Sequence, residues 1–167
     1  MGINIECIEE SFCCSYSYWN KIRSAVITAT FEYLQVHLSL NQLDEECLNE
    51  TIYRKEILEF IDNFIKIDKY DNEVNIFSTF CDSSKLNILI YYNIGGLYYF
   101  CNKSDCDGYY SVGNSYDIFE LFKLIKPFLI KNKEYIQSIE NDIYNSVIKI
   151  ENVFEESVEK NKIVVIS

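Results

Sequence analysis

The sequence predicts an α+β domain, with about four helices packed on a small, mainly antiparallel sheet of about four strands. Three observations carry that expectation. Several stretches repeat apolar residues at three- and four-residue steps, a short stretch near the start alternates with period two, and "KIVVIS" at residues 162–167 reads as a strand. At 167 residues, 49% of them hydrophobic and 25% charged, the chain has the size of a single globular domain spanning 1–167 and can bury a core without disulfides or a structural metal.

In chain order, Ile3, Ile5 and Cys7 alternate with Asn4 and Glu6, which puts one face of a strand in the core. Ser17 is a candidate cap for a helix in which Trp19, Ile22, Val26, Ala29 and Tyr33 share one face, running to about Val36. The polar, acidic "SLNQLDEECLNE" connects it to a second helix, capped by Asn49 and carrying Ile57, Leu58, Ile61, Phe64 and Ile65. Residues 74–100 read two ways, because an apolar run as short as "KLNILIYYN" fits a buried strand or a short helix. Gly95-Gly96 between "ILIYYN" and "LYYFC" is a hairpin signal, and the Tyr, Phe and Ile content favours strands.

Asn114, three residues before Asp117, gives a capping-box-like start near Ser115 to a helix with Ile118, Leu121, Phe122 and Ile125 on one face; Pro127 is expected to end or kink it. From Lys133, the residues Ile136, Ile139, Ile143, Val147, Ile150 and Phe154 predict one long amphipathic helix to about Val158, with an acidic outer face. Residues 162–167 then form a strand that pairs with either the first strand or the central hairpin. No internal repeat, low-complexity tract or Gly/Pro-rich linker marks a second domain.

Charge narrows the function classes. With 15 basic against 26 acidic residues, net −11, the surface repels phosphate backbones and anionic headgroups, so nucleic acid and membrane are not expected partners; a basic protein or a cation is compatible. No apolar run reaches the roughly 18 residues that span a bilayer, since Asn87 and Asn93 interrupt the best stretch. "MGINIECIEES" has neither the basic nor the apolar region of a signal peptide, and Glu6 stands where myristoylation at Gly2 wants Ser or Thr. A cytoplasmic location is the expectation. Seven cysteines, an odd number, then fit reduced thiols, and the sequons at Asn49 and Asn102 carry no weight. The heavy use of Ile, Asn, Lys, Tyr and Phe suggests an AT-rich genome.

The chemistry-bearing stretch is "CNKSDCDGYYS", residues 101–111. Against an EF-hand loop with Gly108 at position six, Asp105 and Asp107 fall on ligand positions, but Lys103 occupies the first and Asn114 the twelfth, which demands a bidentate acid. Asp105, Asp107 and Ser111 with backbone carbonyls are the candidate ligands of a weak calcium or magnesium site; a turn built on Asx bonds, with Gly108 at positive φ, is the competing reading. Carboxylates on both sides of Cys106 work against a reactive thiolate, and nothing places His37, the only histidine, beside it. Cys13-Cys14 and the Cys101 to Cys106 spacing are not zinc knuckles, and no phosphate loop or nucleophile elbow is present.

"SDCDG" at 104–108 leading through a Ser into a helix, together with "YSYWNKIRSAV" at 16–26, resembles a family of small uncharacterised proteins that combine an aromatic-Ser-aromatic stretch with a His-Ser-Asp-Cys-Asp-Gly loop. Here Asn102-Lys103 replaces the family's Asn-His, and "SVGN" replaces its Ser-Pro-acid-acid helix start. The resemblance implies that the loop is a structural unit and implies no activity.

The expected function is that of a soluble, non-catalytic domain acting through a protein partner, in its sharper form an acidic inhibitor or immunity-type protein that covers a basic site. Glu134, Asp142, Glu151, Glu155 and Glu159, on the outer face of the last helix, are the candidate partner-binding residues. The alternative is a divalent-cation module built on residues 105–111. No cofactor and no catalytic residue is expected.

Overall fold

A computed structural model describes residues 2–40, 86–102, 108–131 and 143–167. Within them, five helices pack on one face of a four-stranded antiparallel sheet, the α+β arrangement that the sequence predicts. The predicted helix after Asn49 and the stretch from Lys133 to Asp142 lie outside the described residues.

Strand β1 (Gly2–Glu6) turns Ile3 and Ile5 inward, as the alternation requires. It pairs with β2 (Ser11–Ser15), from Gly2 opposite Ser15 to Glu6 opposite Ser11. "SFCCS" shows only one strongly apolar inward residue, Phe12, so the pattern does not announce a strand; the hairpin forms because residues 7–10 close it, with Cys7 N–H donating to the Glu10 carbonyl at 3.0 Å. β4 (Val164–Ile166) pairs with β1 on its other side, and Asn4 and Ser167 exchange two backbone bonds of 2.8 and 3.0 Å. β3 (Gly108–Tyr110), read as part of a turn from the sequence, pairs with β4 and gives the order β2-β1-β4-β3.

Helix α1 (Tyr16–Leu40) starts one residue after β2 ends. Its cap is Ser15, whose Oγ accepts from Tyr18 N–H at 3.3 Å, and not Ser17, and the helix runs past Val36. Trp19, Ile22, Val26 and Ala29 are buried as their spacing predicts, and Thr30 Oγ1 satisfies itself on the Val26 carbonyl at 2.7 Å.

The central hairpin does not exist. Residues 86–102 form two helices, α2 (Leu86–Tyr91) and α3 (Gly95–Asn102), joined by a turn in which Asn93 takes φ 59°. Asn93 N–H donates to Ile90 and Ile94 N–H to Leu89, the paired bonds of a Schellman stop. The Gly pair serves packing instead of a hairpin turn: a Cβ on Gly96 would sit 2.2 Å from the Asp117 carbonyl oxygen, so only glycine lets α3 lie against α4.

Helix α4 (Val112–Lys131) is capped by Ser111, three residues ahead of the predicted start; Ser111 Oγ accepts from Asn114 N–H at 3.1 Å and donates to the Asn114 side-chain oxygen. Pro127 neither ends nor removes the helix. It sits on the exposed side while Ile125 and Leu129 stay buried on either side of it, and burial outweighs the missing i→i−4 bond. Helix α5 (Ile143–Lys160) ends in a second Schellman stop, with Asn161 at φ 54° and Lys162 N–H donating to the Ser157 carbonyl at 3.0 Å.

A file of rings ties these elements together. Trp19 of α1 meets Phe100 of α3 at 5.1 Å between centroids, Phe100 meets Phe122 of α4 at 5.3 Å, Phe122 meets Phe154 of α5 at 6.1 Å, and Phe154 meets Tyr110 of β3 at 5.2 Å. Each such ring contributes about 1.5–3 kcal/mol on burial, so this file anchors the helices to the sheet.

A cleft beside the start of α4

The close approach at Gly96 decides what meets here. Tyr99 lies three residues further along α3, on the same side as Gly96, and the close contact at Gly96 brings it beside the first turns of α4. An open cleft of about 570 Å³ results, lined by Tyr99, Ser111, Val112, Gly113, Asn114, Tyr116, Asp117 and, from α5, Val158.

Asp117 is the chemically distinctive member. It is half-buried, and burial raises its carboxyl above the ordinary value of 3.8. No cation and no hydrogen-bond donor among the described residues meets its side chain. Tyr116 beside it is 52% exposed, which leaves a wet aromatic edge at the mouth of the cleft. On α5, exposed Glu155 precedes Val158 by one turn and exposed Glu159 follows it, and Glu120 lies on α4. Lys123 is bonded to Glu120 at 2.8 Å, and that bond raises its pKa.

The predicted site residues separate. Glu155 and Glu159 lie in solvent on α5, as the outer-face reading has it. Glu151 does not: it is 5% exposed and receives Lys126 Nζ on both carboxylate oxygens, at 2.9 and 3.1 Å, across the α4–α5 interface. Glu134 and Asp142 lie outside the described residues. So do Asp105 and Asp107 of the candidate cation site, while the hydroxyl of Ser111, its third member, is engaged in capping α4. Among the described residues no three His, Cys, Asp or Glu side chains converge as a metal site would need.

The N-terminal motif is a packing unit. Trp19 is buried, Arg23 lies 5.3 Å over its ring, and Tyr18 OH and Ser146 Oγ are 3.1 Å apart, joining α1 to α5. His37 stacks on Tyr33 at 5.7 Å and meets Tyr92 edge-on at 6.4 Å.

Two residues that matter were read differently in the sequence. Asp117 was assigned only to the helix start, although its place four residues before buried Leu121 puts it at the border of the apolar stripe, where half-burial follows. Glu156 belongs to none of the sites expected from the sequence. It is 7% exposed, and its carboxylate accepts the consecutive N–H groups of Ile8, Glu9 and Glu10 at 3.0–3.1 Å, a nest of amides that acts as an anion receptor. Those bonds, with the one from Glu10 foremost, lower its pKa below the ordinary 4.5. Neighbouring Cys7 is raised by burial and by the Glu156 charge.

The chain has no significant match among known protein families, curated proteins or solved structures. No described helix is long and apolar enough to cross a membrane.

Proposed function

We propose that this domain is a non-catalytic binding module that recognises a basic protein surface, with the cleft beside α4 receiving a cationic side chain of the partner. The observation that carries the reading is Asp117, a partly desolvated carboxylate without a cation among the described residues, set in a cleft with Tyr99 and Tyr116. A guanidinium entering it would gain a charge-assisted bond and a ring to lie against, the two features that make arginine a frequent interface anchor. Glu155 and Glu159, exposed on α5, and a net charge of −11 would attract a basic surface. An acidic inhibitor or immunity-type protein that covers a basic site is the form of this function that the same surface supports. A reducing compartment such as the cytoplasm suits the free thiols of Cys7, Cys13, Cys14 and Cys101.

The test is titration with short arginine-containing peptides, followed by amide shifts. Saturable shifts at Tyr99, Tyr116 and Asp117 that vanish in Asp117→Asn support the proposal. Shifts spread evenly over the acidic surface, or unchanged in Asp117→Asn, would mean that charge alone attracts the peptide and that the cleft is no receptor.

A further inference from the structure

β2 forms one edge of the sheet among the described strands. Its backbone orientation follows from two sets of bonds. Cys7 N–H donates to Glu10, and Asn4 exchanges bonds with Ser167 of the other flank, so odd-numbered residues of β1 bond toward β2 and even-numbered ones toward β4. In the register that sets Ile5 opposite Phe12 and Ile3 opposite Cys14, Phe12 and Cys14 therefore spend their backbone groups on β1. Ser11, Cys13 and the N–H of Ser15 point away from the sheet, where no other described strand lies, while the Ser15 carbonyl opens the first turn of α1.

Natural edges are commonly protected by charge, proline or a bulge, and this one has none of them. "SFCCS" is uncharged in a chain of net charge −11, pairs with β1 residue for residue over its whole length, and exposes Cys13 at its midpoint. The strand is also self-complementary. A second copy laid antiparallel about a twofold axis at Cys13 sets Ser11 opposite Ser15 and Cys13 opposite Cys13, so that the two Cys13 residues exchange both backbone bonds and each Ser15 N–H faces a Ser11 carbonyl.

Charge at the two ends fits the same arrangement. The register carries exposed Glu9 and Glu10 of one copy toward the first turn of α1 in the other, and that 25-residue helix has no acid in its first turn to meet the positive end of its dipole. We infer that β2 is the dimerisation edge of this protein: two copies join their sheets antiparallel through Ser11, Cys13 and Ser15, with Cys13 on the axis.

The experiment combines dilution with amide exchange on the whole chain. At high concentration the mass from light scattering doubles, and the amides of Cys13 and Ser15 slow by about tenfold or more relative to dilute protein, while those of Phe12 and Cys14 do not change because β1 already holds them. Cys13→Pro deletes one outward N–H and no bond to β1, so it is expected to return the monomer mass. Cys13→Ser keeps the dimer but loses cross-linking by a short bis-maleimide. A monomer at every concentration, a dimer in which these amides all behave alike, or a folded Cys13→Pro protein that still dimerises overturns the inference. If Cys13→Pro does not fold, the alternating amide pattern of the native chain decides.

Discussion

Gly96 of α3 lies against the main chain of Asp117 in α4, so close that a Cβ would come within 2.2 Å of the carbonyl oxygen and 2.8 Å of the Ile118 Cα. The atoms in the way are backbone and cannot rotate aside. Gly96→Ala is therefore expected to destabilise the fold by about 1–3 kcal/mol, despite alanine's better helix propensity of about 1 kcal/mol. Urea denaturation measures this, and a variant more stable than the parent would show that the two helices are not held in this contact.

Asp117→Asn is expected to raise thermal stability while removing the proposed arginine response. The raised folded pKa means that the native state holds its proton more tightly than the unfolded chain does. Stability from this group is thus highest in acid and is lost as pH rises from the ordinary 3.8 through the folded value, leaving a destabilising charge at neutrality. Melting curves across that range should show the parent approaching the variant as pH falls. A variant that melts below its parent at pH 7 contradicts the desolvation account.

Glu156 predicts the opposite slope. Its lowered pKa contributes stability that is present above 4.5 and is lost as pH falls through the folded value, when protonation weakens the bonds from Ile8, Glu9 and Glu10. Glu156→Gln should melt lower than the parent at neutral pH and converge with it in acid, and exchange at the amides of residues 8–10 should quicken. Unchanged exchange there would remove Glu156 from its role in holding the turn.

Lys126→Ala leaves the 6%-exposed carboxylate of Glu151 without its cation. Because Lys126 is itself 42% exposed, the penalty is expected to be about 1–2 kcal/mol, below that of a fully buried pair. The double variant Lys126→Met, Glu151→Leu should recover most of it, as measured in a thermodynamic cycle.

Phe154→Ala opens a cavity where α5, α4 and β3 meet, and about 3–5 kcal/mol should be lost; Asn152→Ala, two residues away in solvent, should stay within about 0.5 kcal/mol. Equal effects at the two positions would refute the assigned face of α5.

The faces of α1, α4 and α5 were legible because large aliphatic residues at helical spacing admit only one buried side: Ile22 and Val26, Ile118 and Leu121, Val147 and Ile150 all lie where the periodicity puts them. Strand β1 was legible from its alternation at period two, and β4 from the short apolar run at 163–166. The stretch from Leu86 to Cys101 was not, because aromatic content and a glycine pair speak for a hairpin locally, while the function of Gly96 is set by a helix some twenty residues away. The exposed acids Glu155 and Glu159 of α5 could be read. Asp117 with Tyr99 could not, since their meeting depends on that same helix contact. The inward acids Glu151 and Glu156 escaped because a carboxylate on an amphipathic helix is normally solvated unless something outside the helix, here Lys126 and three amides of a distant turn, answers its charge.

β4 comes after every helix in the chain yet occupies an interior place in the sheet, between β1 and β3. The order of assembly follows. The hairpin of β1 and β2 can form early, but an isolated two-stranded unit is marginal, and three-residue β3 pairs with no other described strand. Docking of Val164–Ile166 closes a loop that spans nearly the whole sequence, an entropically costly late step of the kind that slows folding in proteins of high contact order. Until it occurs the helical layer has no complete floor, and a nascent or truncated chain lacking this strand should behave as a loosely packed, protease-sensitive intermediate, without a smaller native core to fall back on.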